Sequence, residues 1–184
     1  GWYSVAAMQD DVETIKAQVG GMFGVVAEFD DAVLDDFATW AVARTDDGKL
    51  DIIWLNGSVP STLYPFPNLE PDGSVIENWL DGGNMVINVG DWFGYVSYEG
   101  GARKAENGSA GAANILDLPA GIIYSADNTN MTTTADGLKY LPSIGKSCIS
   151  YRPIGLGSVS GDWEVAAVFA SITGDAKATG ADPV

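Results

Sequence analysis

The chain contains no histidine. Every mechanism that passes a proton through an imidazole is therefore closed to it, Ser-His-Asp and Cys-His-Glu triads included, and so is His-ligated zinc. It has one cysteine, Cys148, so no intrachain disulfide forms and a small stapled scaffold is excluded. Basic residues are scarce, 9 against 25 acidic ones, and the resulting net charge is −16. A surface of that sign repels phosphate backbones and anionic lipid heads, so neither nucleic acid nor membrane is an expected partner. No apolar run approaches the ~20 residues needed to span a bilayer. The opening Gly1-Trp-Tyr-Ser has neither the basic nor the apolar region of a signal peptide and no initiator Met, which leads us to expect a fragment or module of a larger protein.

What is present is ordinary globular composition: 184 residues, 46% hydrophobic and 18% charged, a size that suits one domain with a single core. The centre of the pattern is Asp51 to Tyr98. Asp51-Ile-Ile-Trp-Leu-Asn-Gly57 reads as a strand and turn, and Ser74 with Glu77 forms the Ser-x-x-Glu signature of a helix start. Gly82-Gly83 supplies its stop. Met85 to Val89 reads as a second strand, covered on both faces, before the Gly-rich turn Gly90-Asp-Trp-Phe-Gly94. That is a βαβ unit.

Upstream, Gln9 to Val19 has helical spacing and Met22 to Ala27 reads as a short buried strand. Asp30 or Asp31 is expected to cap a second helix with the stripe Val33, Leu34, Phe37, Trp40 and Ala41. Downstream, Gly100 to Gly111 reads as a mobile loop. Ile115 to Leu118, Ile122 to Tyr124, Cys148 to Tyr151 and Trp163 to Ile172 are strand candidates. Thr134 to Leu141 is a helical turn ended by Pro142, and a further strand begins near Gly180. Strand–helix alternation of this kind predicts an α/β fold with a mostly parallel central sheet, helices on both faces, and an extra β-rich C-terminal part.

In such sheets ligands bind beyond the carboxyl ends of the strands. That rule selects Glu28, Phe29 and Asp30; Asn56, Gly57 and Ser58; and Gly90, Asp91, Trp92 and Phe93, together with Tyr64 on the long loop Asn56 to Gly73. Asn56, Gly57 and Ser58 either offer backbone N–H groups to an anion or carbonyl oxygen, or form a plain turn. Asp91 and Trp92 suit a sugar, with an indole face for C–H stacking and a carboxylate for hydroxyls; the alternative is that Asp91 caps the next segment and Trp92 packs.

At these residues a resemblance enters. Asp51-Ile-Ile-Trp-Leu-Asn-Gly-Ser-Val-Pro60 resembles the strand and oxyanion-type turn of the class I glutamine-amidotransferase-like superfamily. Leu80-Asp-Gly-Gly-Asn-Met-Val-Ile-Asn-Val-Gly90 resembles the approach to its nucleophile elbow, and Trp79 to Asn84 is most similar to the ThuA-like branch. The likeness spans roughly residues 20 to 98 and implies a flavodoxin-like three-layer fold. The elbow of that family is Gly-x-Cys-x-Gly. Here the same frame is Gly90-Asp91-Trp92-Phe93-Gly94, which places an indole where the thiol belongs, and the family's histidine has no counterpart. Cys148 lacks flanking elbow glycines and reads as a small core residue.

The expectation is therefore a non-catalytic binding or structural module, with a saccharide or a protein as partner. The alternative is a carboxylate-dependent hydrolase of a carbohydrate-like substrate, with Asp91 and either Asp30 or Glu99 as the acid–base pair. No pattern calls for a cofactor. The acidic pairs Asp10-Asp11, Asp30-Asp31, Asp35-Asp36 and Asp46-Asp47 lack calcium-loop spacing, so no metal site is expected.

Overall fold

The computed structural model describes residues 4–68, 73–90, 92–119, 121–122 and 128–174, and the backbone of 181–183. The fold is mixed α/β. It divides into two compact units, Gly1–Asn68 with Asp72–Glu106, and Leu69–Pro71 with Asn107–Val184.

In the N-terminal unit, α1 (Val5–Val19) starts at Ser4, whose hydroxyl accepts the Ala7 N–H. No residue of α1 is fully buried. Its Lys16 is held between Glu13 and Glu28, and the hydrogen bond to Glu28, then that to Glu13, keeps the ammonium pKa above its ordinary value. Met22 to Ala27 is not a strand. After a 3₁₀ turn at Gly20–Met22 it has no ladder partner, and Val25 is 64% exposed. An apolar run makes a strand only when an edge receives it, and in this structure no described strand pairs with it.

Helix α2 (Leu34–Arg44) starts at Val33 with no side-chain cap. Asp30 instead accepts the Ala32 N–H within the preceding turn, and Asp31 accepts the Gly100 N–H, so neither caps the helix as expected. The apolar stripe of α2 buries Phe37 and Ala41. Phe29 stacks on Phe37 at 4.9 Å, and Trp40 meets Trp79 at 5.6 Å.

Strand β1 (Ile52–Leu55), helix α3 (Val75–Asp81) and strand β2 (Met85–Asn88) form the βαβ unit, with β1 and β2 parallel and Ile52 opposite Met85. The capping box is complete: Ser74 Oγ accepts the Glu77 N–H and the Glu77 carboxylate accepts the Ser74 N–H. The two stop glycines have separate jobs. Gly83 takes the left-handed conformation (φ 81°), whereas a Cβ on Gly82 would stand 2.4 Å from the Thr45 carbonyl oxygen. Asn84 then ties the layers: its Oδ1 accepts the Asp51 N–H at 2.9 Å and its Nδ2 donates to Thr45 O at 3.0 Å.

The pair is covered on one face only. Ile53 and Leu55 are buried, but Trp54 is 42% and Met85 44% exposed, which corrects the expectation of a doubly covered strand. Hairpin β3 (Tyr98–Glu99) and β4 (Ala102–Arg103) turns through Gly100 and Gly101, both at positive φ, inside what reads as a mobile loop.

The C-terminal unit holds α4 (Ser109–Ile115), α5 (Ala135–Tyr140) and an antiparallel four-stranded sheet. Its strands are β5 (Thr129–Thr133), β6 (Ser147–Ser150), β7 (Val168–Ser171) and β8 (Ala181–Pro183), in the order β6-β5-β7-β8. Ile115 closes α4 rather than opening a strand, because Gly111, Ala112 and Ala113 are small enough to bury the helix. Of Trp163 to Ile172 only β7 is strand. Of the strand candidate Ile122 to Tyr124, residues 123 and 124 fall outside the described residues. Among the described residues no helix is long and apolar enough to cross a membrane.

Candidate functional site at the carboxyl end of the parallel pair

Beyond the carboxyl ends of β1 and β2 the chain makes a set of mutual anchors. Asn56 accepts the Trp54 indole N–H at 3.1 Å. Ser58 Oγ accepts the Tyr98 N–H at 2.9 Å, which fixes β3 against the end of β1. One residue along, Glu99 takes the Ser61 N–H on Oε1 and the Ser61 hydroxyl, at 2.9 Å, on Oε2. Ser61 lies in the turn where Leu63 and Tyr64 both donate to Pro60 O at 3.0 Å. The carboxylate therefore closes a helical turn as a cap would. Tyr64, beside it, is buried, with its hydroxyl 3.3 Å from Asn68 O.

The second half of the site is the turn after β2. Asn88 donates from Nδ2 to Gly90 O, and its Oδ1 is buried without a hydrogen-bond partner among the described residues. Gly90 does not sit at positive φ; its role is close approach, since a Cβ there would meet Gly57 O at 3.0 Å. The glycine that needs the left-handed region is Gly94 (φ 64°). Trp92 occupies that region too, at φ 73°, which is unusual for so bulky a residue. Only 8% of Trp92 is exposed, and its ring packs edge-on against Tyr95 at 4.7 Å.

The site residues read from the sequence thus fall into three sets. Asn56, Gly57, Ser58, Gly90 and Trp92 lie on the loops that follow the parallel pair, with Glu99 on β3 and Tyr64 in the buried turn next to it. Asp30 is exposed and engaged with the Ala32 N–H. Asp91 is outside the described residues. Among the described residues no group of three metal-ligating side chains comes together. Sequence reasoning missed Ser61, whose link to Glu99 spans 38 positions and leaves no local pattern.

Replacing Gly90 by Val is expected to destabilise this unit by about 2 kcal/mol, because the branched side chain must displace the Gly57 backbone rather than a flexible neighbour. A urea titration checks it; an unchanged midpoint and slope would mean that the two loops separate at no cost.

Comparison with protein-family models, with curated proteins and with solved structures gives no match.

Proposed function

We propose that this chain is a non-catalytic α/β module of glutamine-amidotransferase-like type, with the flavodoxin-like layered plan, and that it serves binding or structure rather than turnover. The observation that carries the reading is Trp92. It stands in the middle of the Gly90–Gly94 frame, in the strained left-handed backbone region that a nucleophile elbow uses to present its reactive side chain. An indole held there, turned onto Tyr95, has no acyl-transfer chemistry to offer. The absence of histidine supports the same reading, since no imidazole is available to activate a nucleophile.

Carbohydrate is the small-ligand class these residues suit. Asn56 and Ser58 stand beside the turn with their side-chain oxygens already accepting the Trp54 indole N–H and the Tyr98 N–H, so the Asn56 amide and the Ser58 hydroxyl hydrogen are what they offer a sugar's oxygens. The test is a titration of the purified chain against a panel of sugars and polysaccharides, followed by tryptophan emission. A saturable shift lost in both Trp92→Ala and Ser58→Ala would establish a saccharide cleft. Silence across the panel would assign the module to structure or to a protein partner. Release of reducing ends from a polysaccharide, abolished by Glu99→Gln, would overturn the non-catalytic reading.

A further inference from the structure

The N-terminal unit contains an unpaired apolar segment and an unpaired sheet edge that complement each other. Met22 to Ala27 is apolar apart from Gly24 and largely exposed. Among the described residues, no backbone group from Gly24 to Ala27 makes a hydrogen bond. Phe23 already has strand dihedrals (φ −109°, ψ 147°). Such a segment in water wastes both its apolar surface and its hydrogen-bonding groups.

The edge is that of β1. Met85 N–H donates to Asp51 O and Val89 N–H to Leu55 O, so the groups of β1 that face β2 belong to alternate residues. The N–H and C=O of Ile52 and Trp54 are left on the outer edge, where no described strand pairs with them. The face beside this edge is the open one, bearing Trp54, Met85 and Val89.

The path of the chain has the right direction. Helix α1 begins at the carboxyl end of β1, where Met8 Sδ lies 4.0 Å from the position of a Cβ on Gly57. The segment that follows also finishes at that end, where Asp31 accepts the Gly100 N–H at 2.9 Å beside the Glu99–Ser61 anchor. A helix that leaves from the carboxyl end and a segment that returns to it have the polarity of a covering helix and a parallel strand. α1 carries a half-buried stripe, Met8, Val12, Ile15 and Val19, that no layer yet buries fully. The Lys16–Glu28 ion pair ties the helix to the far end of the segment, so the two move as one arm.

We propose that this arm closes: Met22–Ala27 docks on the outer edge of β1 as a third parallel strand, and α1 seats its stripe on the exposed face of the pair. The crossover from this strand through α2 to β1 is then an ordinary βαβ connection, right-handed as such connections are. The occupant of the edge is the chain's own arm rather than a second copy. Both ends of the arm already touch the carboxyl end of the sheet, which gives a local concentration on the order of millimolar, whereas two chains of net charge −16 repel. The edge and the arm alone carry the proposal, but the added strand is one that the layered plan proposed above calls for; peptide-like exchange would count against that plan and leave the Trp92 reading of the turn standing.

Backbone amide exchange on the full chain tests it. The Ile52 and Trp54 amides are expected to exchange at least about 100-fold more slowly than in an unstructured peptide, as are alternate amides between Gly24 and Ala27. In a Val25→Pro/Val26→Pro chain, which removes the ladder donor in either register, protection at Ile52 and Trp54 should vanish while Met85 to Val89 stays protected. That persistence separates loss of docking from loss of fold. Peptide-like exchange at Ile52 and Trp54 in the parent chain would overturn the proposal, and so would protection that survives the double substitution. Protection present only alongside a dimer mass, and lost on dilution, would overturn it in favour of a second copy on the edge.

Discussion

Replacing Gly137 by Ala is expected to destabilise the C-terminal unit by about 3 kcal/mol, although the position is helical and Ala is the better helix former. On propensity alone the substitution should gain about 1 kcal/mol. Packing reverses the sign. A Cβ on Gly137 would stand 2.0 Å from the Phe169 carbonyl oxygen and 2.6 Å from the Thr133 methyl, a distance at which backbone must move. The contact cannot relax cheaply, because α5 is pinned at its N-cap, Thr134. Thr134 accepts the Gly137 N–H at 3.1 Å as the helix cap and also donates its hydroxyl to Val168 O. Its own N–H bonds Phe169 O at 3.0 Å. Moving α5 away from β7 would break both of Thr134's bonds to that strand at once. Urea titration is the measurement, with Gly21→Ala as control, since nothing lies within 4 Å of a Cβ there. Equal midpoints for the two variants would show that α5 does not pack on β7 through this glycine.

How much of this was legible follows from the range of the forces involved. The α3 start could be read because a capping box is local: Ser74 and Glu77 carry the whole pattern within one turn. The helical turn before Pro142 could be read for the same reason, with Thr134 as its cap. Met22 to Ala27 could not, because an apolar, β-branched run states a preference for a strand and leaves open whether an edge receives it. Strand β5 went unread in the opposite sense. Thr129 to Thr133 is polar at four of its five positions, yet threonine is β-branched, and Met131 and Thr133 bury one face between β6 and β7. At the candidate site, the importance of Gly90 was legible but its cause was not. A sharp turn after a strand calls for glycine where φ is positive or where backbones approach closely, and the letters do not say which; Gly94 takes the positive φ, whereas Gly90 makes room for the Gly57 carbonyl 33 positions earlier. The Glu99–Ser61 and Asp31–Gly100 anchors are long-range in the same way. Glu99, read from the sequence as one of a possible acid–base pair, has both carboxylate oxygens occupied by Ser61.

The other large effect is expected at Glu77. Replacing it by Ala should cost the N-terminal unit about 3 kcal/mol, and replacing it by Gln roughly half as much. The carboxylate is 2% exposed and does more than complete a capping box. Its Oε2 accepts the Ser74 N–H at 2.6 Å and the Gly73 N–H at 3.0 Å, and both oxygens lie within 3.1 Å of the Asn68 amide nitrogen. Burial of a carboxylate is tolerated when donors surround it, and here they come from the Gly73 and Ser74 N–H groups just before α3 and from the Asn68 side chain, at the helix end whose dipole favours negative charge. Alanine removes the acceptor and leaves these donors buried without it. That penalty exceeds the ~1 kcal/mol usually lost with a cap alone. Glutamine keeps one acceptor oxygen but turns an NH₂ group toward existing donors, hence the intermediate value. The burial of Trp79 and Ile76 depends on the placement of α3, and Tyr64 reaches the same network through Asn68 O, so the loss should propagate to the candidate site. Glu13→Ala is the matched control: it deletes an exposed i,i+3 partner of Lys16 and should stay within about 0.5 kcal/mol of the parent. Urea midpoints followed by tryptophan emission would report the series. The ordering Glu13→Ala, Glu77→Gln, Glu77→Ala, from mildest to most severe, is the expected result, and a Glu77→Gln chain as stable as the parent would show that the charge on this carboxylate contributes nothing to the fold.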